Sequence, residues 1–459
     1  MLRRARSRPA WILAAFVPLC CAVGCRAVLG IQDYGDDQVT DGAASSNDGY
    51  SGSDSEELLP DGGTCIPDPP DPRYFSDATQ VVAGFGFSCA LRASGEVACW
   101  GDNSKGQLGV GGVAFSATPM TIGAFRNAKQ IAAGESHACA VLATGDIYCW
   151  GANDSGQLGR SGASSPAPVV AQHSPLFYAV AAGGAHTCAL AANSAEALCW
   201  GENREGELNV AASDGGPIPR LVAGSSVSEA DAALALGNTH VCLLANGVVD
   251  CWGGNTQGQL GVSGTDAATA TLGAAFTNQH GITGIRGGGN DTCVLTATGI
   301  FCAGANSNLQ LGGTAAPGPS VLSALSGAVD IAICNSHSCM WNQSGQLFCV
   351  GENGQGQLGN GAVDSGGTFG AIAVAGIDAG TVFGPVLGAA VAGEFSPISR
   401  LGTPIPRHSC AILAANCGNY GTVYCWGSNQ LGEVGDGVVG SNLGTDSGTV
   451  LTPTPVVAP

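Results

Sequence analysis

Charge is what this chain has least of. Charged residues are 11% of its 459 positions, and the only lysines are Lys105 and Lys129; soluble domains average about a quarter. The formal net charge is −19. Four arginines (Arg3, Arg4, Arg6, Arg8) precede an apolar N-terminal stretch, and −19 less these four leaves −23. That excludes the clustered cations that nucleic acid demands. It also excludes electrostatic adhesion to anionic lipid. Catalytic signatures are missing too: there is no phosphate loop, no Gly-x-Ser-x-Gly elbow and no His-Glu-x-x-His. No Asp-x-Asp-x-Asp-Gly calcium loop occurs. The sequence calls for no cofactor, no metal and no enzymatic role.

Residues 1–25 have the layout of an export signal. A basic start leads into the apolar run Ala10–Val23, too short to span a bilayer comfortably. The run ends Ala22–Val23–Gly24–Cys25, which resembles a lipoprotein signal with Cys25 as the lipidated residue. An ordinary signal peptide or an uncleaved anchor is the alternative. The stretch 26–77 follows as an acidic, proline-rich tether. Its first 48 residues, to position 73, carry eleven acids, and such like charge with few apolar groups supports no core.

What the chain has in abundance is glycine (73) and cysteine (20). Both belong to one repeated line, clearest at Cys139–Gly159, CAVLATGDIYCWGANDSGQLG. The first cysteines of the copies are Cys89, Cys139, Cys188, Cys242, Cys293, Cys339 and Cys410. The second are Cys99, Cys149, Cys199, Cys251, Cys302, Cys349 and Cys425. Most spacings are about 50 residues, the period of a propeller or array. Each copy reads as short antiparallel strands around a turn, such as Thr144–Gly145 or Asn246–Gly247. A Pro-containing extended piece, such as Pro166–Val170 or Pro217–Val222, precedes each copy. The expectation is all-β: a seven-bladed β-propeller of four-stranded blades over 78–459. The tail Thr452–Pro459 looks like another opening strand, so it is expected to pair with the first blade near Val81 and close the ring.

Within a copy, the two cysteines sit symmetrically about the turn. Cys89 therefore opposes Cys99, within reach of a disulfide. Seven such bridges suit an oxidising compartment; buried thiols or metal sites are the alternatives. Zinc sites favour tighter Cys spacing. Cys65, Cys334 and Cys417 are left over, beside Cys20, Cys21 and Cys25 in the signal.

Other positions recur. His137, His186, His240, His337 and His408 stand two residues before the first cysteine, and Phe87 and Asp291 take that place elsewhere. A ring of metal ligands is one reading; a structural hydrogen bond inside each blade is the favoured one. Trp100, Trp150, Trp200, Trp252 and Trp426 follow the second cysteine, either as sugar platforms or as packing between blades, which is favoured. Asn103, Asn153, Asn203, Asn255, Asn306, Asn353 and Asn429 read as turn residues.

These lines, His-x-Cys-Ala-Leu and Tyr-Cys-Trp-Gly-x-Asn-x-x-Gly-Gln-Leu-Gly, resemble the RCC1 repeat family, a seven-bladed propeller, from about Val81 to Pro459. The match weakens where Ala303 and Val350 replace tryptophan, and in the last copy with its insertion around Ala362–Ile405 and Leu431–Gly435 reading LGEVG. The family's founding member is a nuclear nucleotide-exchange factor that binds chromatin. An acidic, cysteine-paired, exported chain fits that role poorly. Secreted bacterial relatives, one of which inhibits β-lactamases with a propeller face, are more similar. The resemblance implies a binding scaffold; with the signal and Cys25 the expectation is an exported protein of the cell envelope, lipid-anchored to the outer membrane or cell surface, with a protein or cell-wall glycan as partner and, from its charge, no nucleic acid. A lectin and a propeller lyase or hydrolase are the alternatives. The loops that differ between copies (Asp102–Lys105, Asp154–Ser155, Arg204–Glu207 and the 362–405 insertion) are the expected binding elements.

Overall fold

A computed structural model describes residues 72–459 apart from 172–175, 193–196, 211–214, 224–231, 263–268, 277–278, 313–319, 322–326, 374–385, 393–405, 415–419 and 440–447. The signal, Cys25, almost all of the tether, Cys65, Cys417 and much of the 362–405 insertion lie outside the described residues. Those residues contain strands and no helix, so none could hold a membrane-spanning helix.

Four consecutive strands make each blade. In blade 1 they are Ala78–Gly84, Phe87–Arg92, Val97–Asp102 and Phe115–Thr121, each antiparallel to the next. Five further sheets repeat this order, and blade 7 is Val386–Ala392, His408–Ala414, Gly421–Ser428 and Thr449–Pro455. The inner strands of blades 2 to 6 are Ala128–Ala133, Phe177–Ala182, Ala233–Leu236, Ile282–Gly288 and Ala328–Ile333. They stand side by side from blade 1 to blade 7, and blade 7 packs back onto blade 1.

Two sequence expectations need correcting. The Pro-containing pieces do not open the following copy. Ser165–Val170 pairs with Ile147–Gly151 as the outer strand of its own blade, and Gly216–Ala223 pairs with Ala197–Gly201 in the same way. Proline lacks the N–H a central strand needs, so it sits at a sheet edge. For the same reason the tail does not pair with Val81. Thr449–Pro455 is the outer strand of blade 7, paired with Gly421–Ser428. Blades 1 and 7 are joined through Ala78, which pairs with Gly421, and through the residues just before the first strand. Phe75 N donates to Val456 O (2.9 Å), Val423 N donates to Phe75 O (3.0 Å), and Tyr74 bridges Val457.

The core lies in the seams between blades. The cluster joining blades 1 and 2 holds Phe87, Leu91, Leu108 and Ile122 from one side and Ile131, Ala140, Leu142 and Trp150 from the other. The later seams follow the same plan. A single blade cannot cover both of its faces, so neighbours supply the burial. The Asn246–Gly247 hairpin has both residues at positive φ (53° and 76°), as a two-residue turn of the twisted type requires.

Candidate functional site

The recurring residues are scaffold, and their geometry shows what they leave free. All five repeat tryptophans are fully buried. Each donates its indole N–H to a backbone carbonyl of the preceding blade: Trp150 to Gln107, Trp200 to Gln157, Trp252 to Glu207, Trp426 to Gln357 and Trp100 to Glu433, at 2.7–2.9 Å. They fasten seams and offer no face to a sugar.

The histidines are fully buried as well. Their hydrogen bonds do not stay inside one blade, as expected, but reach the next. His137 Nε2 lies 2.9 Å from Thr187 Oγ1, His240 Nε2 2.8 Å from Thr292 Oγ1, His337 Nε2 2.7 Å from Ser409 Oγ and His408 Nε2 2.7 Å from Ser88 Oγ. In blade 4 Val241 takes the hydroxyl's place, and neither ring nitrogen of His186 has a partner. Burial pushes His137, His240 and His337 down to about 3, and His186 and His408 to about 4. All five are neutral at physiological pH. Among the described residues no three His, Cys, Asp or Glu converge on a metal position.

Each of the seven cysteine pairs is directly opposed in register, with S–S distances of 1.96–2.13 Å. This holds even for Cys410–Cys425, whose sequence separation is 15. Cys334 is a free, buried thiol. Its Sγ lies 3.3 Å from His337 Nδ1 and donates to the His337 carbonyl at 3.2 Å. Burial raises the thiol and lowers the imidazole. The two are a neutral pair, not an activated nucleophile.

The loops between third and outer strands hold the variable residues. In blade 1, Asn103 Oδ1 accepts from Leu108 N (3.0 Å), while its Nδ2 donates to the carbonyls of Val110 and Val113. Gln107 Oε1 accepts from Lys105 N (2.8 Å). The same clamp recurs from Gln157 to Ser155, Glu207 to Glu205, Gln259 to Gln257, Gln310 to Asn308, Gln357 to Gln355 and Glu433 to Leu431. The Asn and the Gln or Glu are buried, apart from a less covered Asn306. The two residues after the Asn form a different pair in every blade: Ser104–Lys105, Asp154–Ser155, Arg204–Glu205, Thr256–Gln257, Ser307–Asn308, Gly354–Gln355 and Gln430–Leu431. The first of each pair is exposed. A fixed frame thus displays seven different pairs around one end of the propeller. Lys105 reaches Asp154 at 3.2 Å, and Arg204 reaches Glu202 at 2.7 Å; the charged members of the varied pairs thus lie on blades 1 to 3, while Glu352 of blade 6 pairs with Arg407 of blade 7. Sequence reasoning pointed to several of these loops but missed the Gln clamp. Its signal was Gln or Glu at one position in all seven copies.

The axis encloses a cavity of about 400 Å³ lined by the inner strands. At the loop end it narrows to a glycine row. A Cβ on Gly183 would stand 2.3 Å from Gly237 O and 2.6 Å from His186 Cε1. Backbone bonds step from blade to blade there, Phe85 N to Glu135 O, Glu135 N to Gly184 O and Asn238 N to Gly289 O.

Residues 78–107, 128–157 and 177–207 match the family described as "Regulator of chromosome condensation (RCC1) repeat", as do 94–141 and 144–190 under a second description of that repeat. No curated protein matches in sequence. Among solved structures, human WBSCR16 aligns over 78% of this chain and 94% of its own, at 19% identity and TM-score 0.64. Yeast RCC1 (Prp20) bound to Kap60 aligns over 84% and 85%, at 20% and 0.62. Prp20p from Saccharomyces cerevisiae, described with its binding to Gsp1p and histones, aligns over 84% and 87%, at 21% and 0.61. At these identities the likeness is one of fold.

Proposed function

Because this chain is a propeller of RCC1 repeats, a fold that commonly mediates protein binding and is typically non-enzymatic, we propose that it is an exported scaffold that binds a protein partner through the ring of variable loop pairs. One observation carries this reading. In each loop the Asn and the Gln or Glu fix the backbone, while the residues they hold outward differ in all seven blades. Rigid display costs little ordering entropy on binding, and variation confined to exposed positions is what partner specificity requires. The charged pairs on blades 1 to 3 give orientation, and the uncharged pairs on blades 4 to 7 give contact area.

Export is supported by seven cysteine pairs at disulfide distance, which suit an oxidising compartment. The lipid-anchored form rests on Cys25 in the sequence alone. A glycan reading built on the tryptophans loses its platform to burial.

The test is retention of envelope proteins by the full chain and by a variant carrying Lys105→Glu, Arg204→Glu, Ser307→Trp and Gln430→Trp. A protein retained by the first and lost by the second supports the reading. Equal retention by both, with the two chains equally stable, removes it.

A further inference from the structure

The central cavity holds a feature that neither the repeats nor the loop ring requires. Six inner strands carry a small residue at the cavity-lining position opposite the first cysteine: Val82, Ala132, Ala181, Ala235, Ala332 and Ala390. Blade 5 places Arg286 there, opposite Cys293. Its neighbours Ile285 and Asp330 satisfy only part of it. Nη1 donates to the Ile285 carbonyl at 2.8 Å and Nη2 to Asp330 Oδ2 at 2.7 Å. A guanidinium has five N–H groups, so three remain, on a side chain 25% exposed in the cavity wall. Asp330 is more hidden, at 4%. Its Oδ1 is engaged by Ile331 N at 2.8 Å. The channel therefore meets the cation before the carboxylate. Lys129, exposed on the blade 2 inner strand, is not part of the described cavity lining. Glu135 is the other acid of the wall, and it lies at the narrow loop end. The amides of Gln80 and Gln130 are occupied by backbone of the next blade.

We propose that the channel is a binding site for a small carboxylic acid, held by the Arg286 guanidinium. The cavity has the volume of a small-molecule site, with mixed polar and apolar walls and Arg286 as the one cationic residue of its described lining. Arginine pairs with carboxylate through parallel N–H donors. This proposal does not depend on the loop ring binding a protein. The rival account makes Arg286–Asp330 only a tie between blades 5 and 6, and it predicts no ligand response.

The probe is butyrate, with butyramide and chloride as controls, titrated into the full chain while the arginine Nε–Hε signals are followed by NMR. Butyrate should shift the Arg286 signal saturably at millimolar concentration, and butyramide should not. A charge-assisted bond of this kind makes the expected loss of affinity roughly tenfold to a hundredfold in Arg286→Ala/Asp330→Ala. That double change avoids stranding a buried carboxylate. Gly388→Phe adds bulk to the channel from blade 7, at a wall position where an added Cβ meets nothing within 4 Å; it leaves the ion pair of blades 5 and 6 in place and should also abolish the response, so the test stands even if the double variant fails to fold. No saturable shift, an equal shift with butyramide, or an equal shift with chloride (an adventitious ion only) overturns the proposal. So does full butyrate binding by Gly388→Phe.

Discussion

The strongest prediction concerns two carboxyls that stand where the other blades carry an amide. Glu207 and Glu433 occupy the clamp position held by glutamine in the five other copies. Both are fully buried, and in each one oxygen accepts the loop N–H while Oε1 has no partner. Burial raises both from an ordinary 4.5 to about 7. Folded, they hold protons that the unfolded chain releases. The sign follows: stability is full below about 4.5 and is lost as pH rises through about 7. A displacement of this size corresponds to roughly 3 kcal/mol per site as an upper figure. The sites lie in blades 3 and 7, so the two should add. Glutamine should remove the loss and supply a donor. Gln107 Nε2 reaches Asp102 Oδ2 at 2.8 Å. Glu202 and Ser428, the latter with an unpartnered Oγ, occupy the equivalent of Asp102 in blades 3 and 7. The assay is urea denaturation of wild type and Glu207→Gln/Glu433→Gln between about pH 4.5 and 8, disulfides intact. The variant should match wild type at the acid end and exceed it by several kcal/mol at pH 8. The five buried histidines tilt both proteins equally, so the difference isolates the carboxyls. Parallel curves across that range would refute protonated glutamates in the folded state.

Three further outcomes follow from the seams. Trp150→Ala empties the seam of blades 1 and 2 and strands the Gln107 carbonyl, and should cost about 3–5 kcal/mol; a change under 1 kcal/mol in denaturation midpoint analysis would contradict the packing role. Cys139→Ala/Cys149→Ala opens a short loop and should cost roughly 2–3 kcal/mol, while thiol labelling of the unfolded, non-reduced chain should leave all seven pairs unmodified. On the acid side, the histidines with lowered values must charge on unfolding, so stability should fall as pH drops below about 6.5. His137→Asn should flatten that fall measurably in the same titration.

What the sequence revealed was whatever recurs. The cysteine register, the strand pattern and the seam tryptophans recur from copy to copy, and a repeat reports equivalence directly. Phase is different. The piece Ser165–Val170 lies between two copies and is equally near both, so periodicity alone cannot say which one it joins. Its prolines answer the question once a sheet edge is considered, because the strand must be outermost, and the outermost strand follows the third one in the chain. The same shift by one strand moves Thr449–Pro455 from the first blade to the last. Direction across a seam was hidden for a related reason. The spacing of His137 before Cys139 fixes its strand face but not that its partner is Thr187, 50 residues on. The candidate sites invert this logic. Ser104–Lys105 and its six counterparts matter because they fail to recur inside a frame that does, and Arg286 because six equivalent positions are alanine or valine. In a propeller, the repeated positions build the seams, so specificity is left to the positions where the copies disagree.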